Sequence, residues 1–191
     1  MFATRIHGRG GQGVVTAAEL LSVAAFNAGK YAQAFPNFGS ERMGAPVVSY
    51  CRIDTHPIRI REPIVTPDAL VIQDVTLLHQ VDVLAGLPPT AYLVVNTTKT
   101  FDALGLGEFA ATHDRARLRA VPGTEIALRH LGRPVANVVL LAALAALTGL
   151  LDLASVTGAI SERFSGRMAT ANAAAAAEAF DLVLSQAQRT G

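Results

Sequence analysis

The segment Gly8-Arg9-Gly10-Gly11-Gln12-Gly13 constrains this chain more than any other. It stands between a short apolar run, Phe2 to His7, and a long stretch free of Pro and Gly, Val14 to Ala28. A strand broken by glycines and followed by a helix is the opening of an α/β domain. The spacing also equals the G-x-G-x-x-G fingerprint of dinucleotide binding. Glycines permit positive φ and let a bulky phosphate approach the backbone. The helix start near Val14 presents unpaired N–H groups and a positive dipole end. That dipole is worth roughly 0.3–1 kcal/mol, too little to hold a ligand alone.

The remaining chain alternates in the same way. Tyr31–Phe35 and Val47–Ile53 read as strands, and His56–Ile60 as a hairpin partner of the latter across Asp54-Thr55. Ala69–Gln73 and Tyr92–Val95 are compact apolar runs typical of central strands. Val75–Leu84 carries helical spacing, residues 100–120 have no clean period, and 124–130 form a short helix capped by Thr124. From Asn137 three helices are expected, 137–148, 153–164 and 169–187, with Asp152 and Thr170 as N-caps. The sum is one domain over 1–191: a mostly parallel, Rossmann-like α/β sheet covered by helices, with a helical C-terminus.

Composition narrows the function classes. Only 16% of the 191 residues are charged and 51% are apolar, so part of the surface is expected to be covered by partner chains. The formal charge of +1 gives no pull toward nucleic acid or anionic membrane. The longest apolar run, Val138–Leu147, is about half of a membrane span. The single cysteine, Cys51, excludes an internal disulfide or an iron–sulfur cluster held by this chain alone. A reducing, cytoplasmic setting fits.

A nicotinamide site also wants an acid about 20 residues beyond the turn, to hold the ribose hydroxyls. Tyr31-Ala-Gln-Ala-Phe-Pro36 contains none, and Arg9 places positive charge inside the loop instead. Three readings stay open: a turn that binds nothing, an independent NAD(P)- or flavin-dependent oxidoreductase, and a site for another phosphate-bearing ligand.

Three motifs in order favour the last. Gly8–Gly13, Tyr31–Pro36 and Gly39-Ser-Glu-Arg-Met-Gly44-Ala-Pro-Val-Val-Ser49 together resemble the gamma subunit or domain of 2-oxoacid:acceptor oxidoreductases, the pyruvate:ferredoxin type among them. Thr124-Glu-Ile-Ala127 and Gly132-Arg-Pro-Val-Ala-Asn137 fit the same family, so the resemblance spans the chain. It implies an enzyme complex that oxidatively decarboxylates a 2-oxoacid (pyruvate and phenylglyoxylate among the options) and joins the acyl group to coenzyme A. Thiamine diphosphate, Mg2+ and 4Fe–4S clusters would sit on alpha, beta and ferredoxin-like delta chains. Electrons would leave to ferredoxin, or to NAD through a further electron-transfer subunit. For this chain the resemblance implies a share in binding coenzyme A, and no catalytic residue. By position the binding residues are Gly8, Arg9, Gly10, Gly11, Gln12, Gly13, Ser40, Glu41, Arg42 and Asn137. Some relatives carry a lysine pair where Glu41-Arg42 stands, so one positive charge is lost here.

Other candidates have plainer readings. Asn137 is as well explained as the cap of the helix beginning at Val138. Arg133 reads as an exposed turn arginine, and Arg115, Arg117 and Arg119 as a solvated basic face. Cys51 reads as a small buried residue. No base-and-orienter set can be built around His7.

Overall fold

The computed structural model describes residues 1–37 and 43–188. Its frame is a six-stranded sheet in the order β2-β3-β1-β4-β5-β6. The strands are β1 (Phe2–Arg9), β2 (Tyr31–Pro36), β3 (Pro46–Asp54), β4 (Ala69–Ile72), β5 (Tyr92–Asn96) and β6 (Leu118–Val121). β1, β4, β5 and β6 pair in parallel, while β3 runs antiparallel to both β1 and β2. Every strand but β3 therefore points the same way, and the expectation of a mostly parallel sheet holds.

Successive side chains of a strand face opposite sides, and here the two sides are covered differently. Ile6, Val71, Val94 and Val121 share a core with α1 (Val14–Asn27), α3 (Gly123–Leu131), α4 (Asn137–Thr148), α5 (Leu153–Arg163) and α6 (Gly166–Gln188). Leu70, Ile72, Leu93 and Leu118 face the other way, onto α2 (Gly107–Ala111), the 3-10 segments Val75–His79 and Asp102–Leu104, and loops. The run read as the longest apolar stretch is α4, buried from Asn137 to Ala146. Each Val or Leu buried there contributes about 1.5–3 kcal/mol. Asp152 caps α5 by accepting from the Ser155 N–H at 2.8 Å, as expected.

The loop-covered face is organised by buried arginines. Arg5 is 7% exposed, and its guanidinium donates to the carbonyls of Ile64, Val65, Val83 and Ala85. Arg52 does the same for Ile60 and Glu62. Two departures from the sequence reading fall on this face. His56–Ile60 forms no strand, because both edges of β3 are already occupied by β1 and β2. Val75–Leu84 is helical only over the 3-10 segment Val75–His79; beyond it the Val83 N–H donates to the Val81 carbonyl and the Ala85 N–H to the Asp82 carbonyl, which are turn bonds rather than helical ones.

Residues 100–120 conceal a strand. β6 escapes periodicity because Arg117 and Arg119 flank Leu118, yet Arg119 is buried, folding its guanidinium onto the carbonyls of Arg115 and Leu118. Arg115 is exposed, so the basic face is only partly solvated. Two caps also differ. Thr170 lies inside α6, which begins at Gly166. Thr124 does not cap α3; the Asn96 side chain does, accepting from the Thr124 N–H at 3.0 Å. Cys51 is fully buried, and burial pushes its thiol well above the usual range. No described helix is long and apolar enough to cross a membrane.

Candidate functional site

The chain leaves β1 through α1 toward β2, and leaves β4 toward β5 on the opposite side. The carboxyl ends of β1 and β4 thus flank a topological switch point, where open α/β sheets bind ligands. A cleft of about 510 Å³ opens there. Gly10, Gly11 and Gln12 form one wall, Gln73 and Asp74 the end of β4, and Pro134–Ala136 the far side.

Local geometry explains the glycines. Gly11 and Gly13 hold φ of 91° and 71°, a region that strains residues bearing a Cβ. A Cβ on Gly13 would also lie 2.5 Å from Asn137 Nδ2. Gly13 is the N-cap of α1, and no side chain caps that helix. Its first amide hydrogens lack intrahelical partners by construction, and they point toward the cleft end of the helix.

Arg9 is committed inside the protein. Its Nε donates to Asp74 Oδ2 at 3.1 Å, Nη1 to the Gly44 carbonyl, and Nη2 to Thr76 and Gln80. Gln12 is a strut as well: Oε1 accepts from the Arg9 N–H at 2.8 Å and Nε2 donates to Asp74 at 2.9 Å. Burial would raise the Asp74 carboxyl, but hydrogen bonds from Thr76 and Gln12 and the charge of Arg9 outweigh it, and its pKa falls below the ordinary value. The carboxylate is therefore ionised at neutral pH and cancels the Arg9 charge locally.

Asn137 lies far along the sequence yet reaches the turn. It is 5% exposed, its Nδ2 donates to the Gly13 carbonyl at 3.3 Å, and its Oδ1 accepts from the Val138 N–H at 2.9 Å. It thus ties the starts of α1 and α4 together. Arg133 is exposed on the turn before Pro134. Ser40, Glu41 and Arg42 lie outside the described residues. Met43 bridges to Gly10, is 85% exposed, and stands over Gly11.

Sequence reasoning missed Gln73, Asp74, Asn96 and Thr124. Each polar residue that follows β4 or ends β5 was visible as a break after an apolar run, and the switch-point rule would have found Gln73-Asp74 and Asn96. His7 sits on the loop side, 7% exposed. Burial, then the nearby Arg5 charge, lowers its pKa to about 4, so it is neutral at pH 7, and neither ring nitrogen has a hydrogen-bond partner among the described residues. A second cleft of about 520 Å³, between Phe101 and Arg119 along β6, shares no residue with the glycine turn.

Residues 3–182 match the family described as pyruvate ferredoxin/flavodoxin oxidoreductase. The chain is 49% identical over 181 residues to the pyruvate/ketoisovalerate oxidoreductases common subunit gamma of Thermococcus kodakarensis, covering 95% of this chain and 96% of that one. Among solved structures it resembles pyruvate oxidoreductase subunit PORC of Thermotoga maritima, with TM-score 0.78 and 33% identity over 94% of this chain and 95% of that one. A 2-oxoglutarate:ferredoxin oxidoreductase from Magnetococcus marinus, solved with 2-oxoglutarate, coenzyme A and succinyl-CoA bound, shares the fold. There the TM-score is 0.75 at 19% identity, over 98% of this chain and 31% of that one.

Proposed function

The chain belongs to the pyruvate ferredoxin/flavodoxin oxidoreductase family as a gamma-type subunit, and from that premise we propose that it serves a 2-oxoacid oxidoreductase complex as an accessory subunit whose glycine-turn cleft helps hold coenzyme A. The observation that carries this reading is the glycine turn Gly10–Gln12, which lines the switch-point cleft directly ahead of the uncapped start of α1. Coenzyme A brings a diphosphate for those amides and, when bound, a thiol that takes up the acyl group after decarboxylation. Gly10, Gly11 and Gly13 give backbone access, and Gln12, Asp74 and Asn137 keep the turn in shape. Arg9 acts here by neutralising Asp74 and bracing the turn.

In this reading thiamine diphosphate, Mg2+ and 4Fe–4S clusters belong to alpha, beta and delta chains, with ferredoxin or a further electron-transfer subunit as acceptor, in the cytoplasm. The solved Magnetococcus relative of the same fold, with its bound coenzyme A, supports the choice of ligand.

An independent NAD(P) or flavin enzyme is disfavoured by the sheet itself. The neighbour of β1 on the β2 side is the antiparallel β3, whose carboxyl end lies at the opposite end of the sheet. Among the described residues no strand there presents an acid beside the turn. A purely structural subunit is the other alternative. Gly11→Val in the assembled complex separates it: the Kd for coenzyme A should rise at least about tenfold with the KM for the 2-oxoacid unchanged. An unchanged Kd favours the structural role.

A further inference from the structure

The polar side chains of the cleft divide into two kinds. Gln12, Asp74, Asn96 and Thr124 are all paired within the protein. Gln73 is the exception among the described residues. It is 5% exposed, and both its Oε1 and its Nε2 are buried without a hydrogen-bond partner. Its backbone is nonetheless fixed at both ends. The N–H donates to the His7 carbonyl at 2.8 Å, and the carbonyl accepts from Asn96 Nδ2 at 2.9 Å. Gln73 stands between the cleft beside the glycine turn and a small internal cavity lined with Ile6, Val71 and Asn137, in room left by Gly8, where a Cβ would stand 3.1 Å from Oε1.

An orphaned buried amide is costly, and an apolar side chain of similar shape would remove the cost. Native folds rarely retain such a group without a use.

The geometry points to Gln73 as the residue that reads a neutral polar edge of the ligand in this cleft, an inference that rests on the coenzyme A reading. A carboxamide vacant at both ends is matched by a donor and an acceptor side by side. An adenine edge offers that pair, and so does an amide of the pantetheine arm. A phosphate offers acceptors only and would set its negative charge against Oε1. The cleft then divides its work: amides at the start of α1 take the diphosphate, and Gln73 selects what is attached to it.

The test compares Gln73→Leu and Gly11→Val with wild type in the assembled complex. It measures the Kd for coenzyme A, for adenosine 3′,5′-bisphosphate and for pantetheine, and the thermal midpoint without ligand. Gln73→Leu should raise the Kd for coenzyme A roughly five- to 150-fold, while the ligand-free midpoint stays level or rises. A loss confined to the bisphosphate assigns the adenine edge; a loss confined to pantetheine assigns an amide. A lowered midpoint with an unchanged Kd makes Gln73 a structural residue and overturns the inference. If Gly11→Val weakens binding and Gln73→Leu does not, the inference alone fails. If neither variant changes the Kd, the coenzyme A reading fails with it.

Discussion

The Arg9 guanidinium meets the Asp74 carboxylate at 3.1 Å across the mouth of the glycine-turn cleft, with both side chains less than one-fifth exposed. An arginine in such a loop invites assignment to a phosphate. Here its donors go to Asp74, Gly44, Thr76 and Gln80. A double-mutant cycle distinguishes the two roles. Arg9→Met should leave a bare carboxylate beside the diphosphate and weaken coenzyme A by about tenfold. Asp74→Asn in that background should recover most of the loss. If Arg9→Met costs the same whether or not Asp74 is charged, Arg9 contacts phosphate directly.

Acid should weaken the fold through His7. Its pKa in the protein is about 4, against 6.5 for a free histidine, because burial and then Arg5 disfavour the charged ring. Above pH 6.5 both folded and unfolded states hold it neutral, and its stabilising share is complete. As pH falls from 6.5 through 4, the unfolded chain takes up the proton first. About 3 kcal/mol is lost across that window. Urea midpoints between pH 7 and pH 4 should show the slope, and His7→Leu should flatten it.

Gly13→Ala should disturb two helices at once. The new methyl group meets Asn137 Nδ2 at 2.5 Å, and the positive φ of 71° is strained for alanine. The strain alone costs roughly 1–2 kcal/mol. Adding Asn137→Ala relieves the contact but not the φ, so the double variant should lose less than the sum of the single ones. Strict additivity in chemical denaturation would show that the contact contributes nothing.

Arg5→Met should loosen the face that carries no long helix. Four carbonyls, from Ile64, Val65, Val83 and Ala85, lose their shared donor. A loss of about 1–3 kcal/mol is expected for leaving buried carbonyls without a donor. Backbone amide exchange should accelerate in 60–66 and 80–87 before it does in α4.

Much of this fold can be read in the sequence because its helices and central strands obey simple periods. The α4 run is apolar throughout, and Gly8–Gly13 marks the strand–turn–helix that positions the site. What escapes is held by long-range polar contacts. The β6 strand hides behind Arg119, whose charge is satisfied by carbonyls that no local pattern discloses. His56–Ile60 has the composition of a strand but no free edge to join. The candidate site divides likewise. Asn137 is reached through family resemblance, and its contact with Gly13 bridges 124 positions. Gln73 and Asp74 become site residues only once β4 is placed beside β1.

Amide hydrogen exchange in the assembled complex, with and without coenzyme A, tests the central claim most directly. If the start of α1 grips the diphosphate, residues 10–16 should slow markedly on binding, with smaller changes at the end of β4. Protection confined to other chains, with residues 10–16 unaltered at saturating coenzyme A, would contradict it.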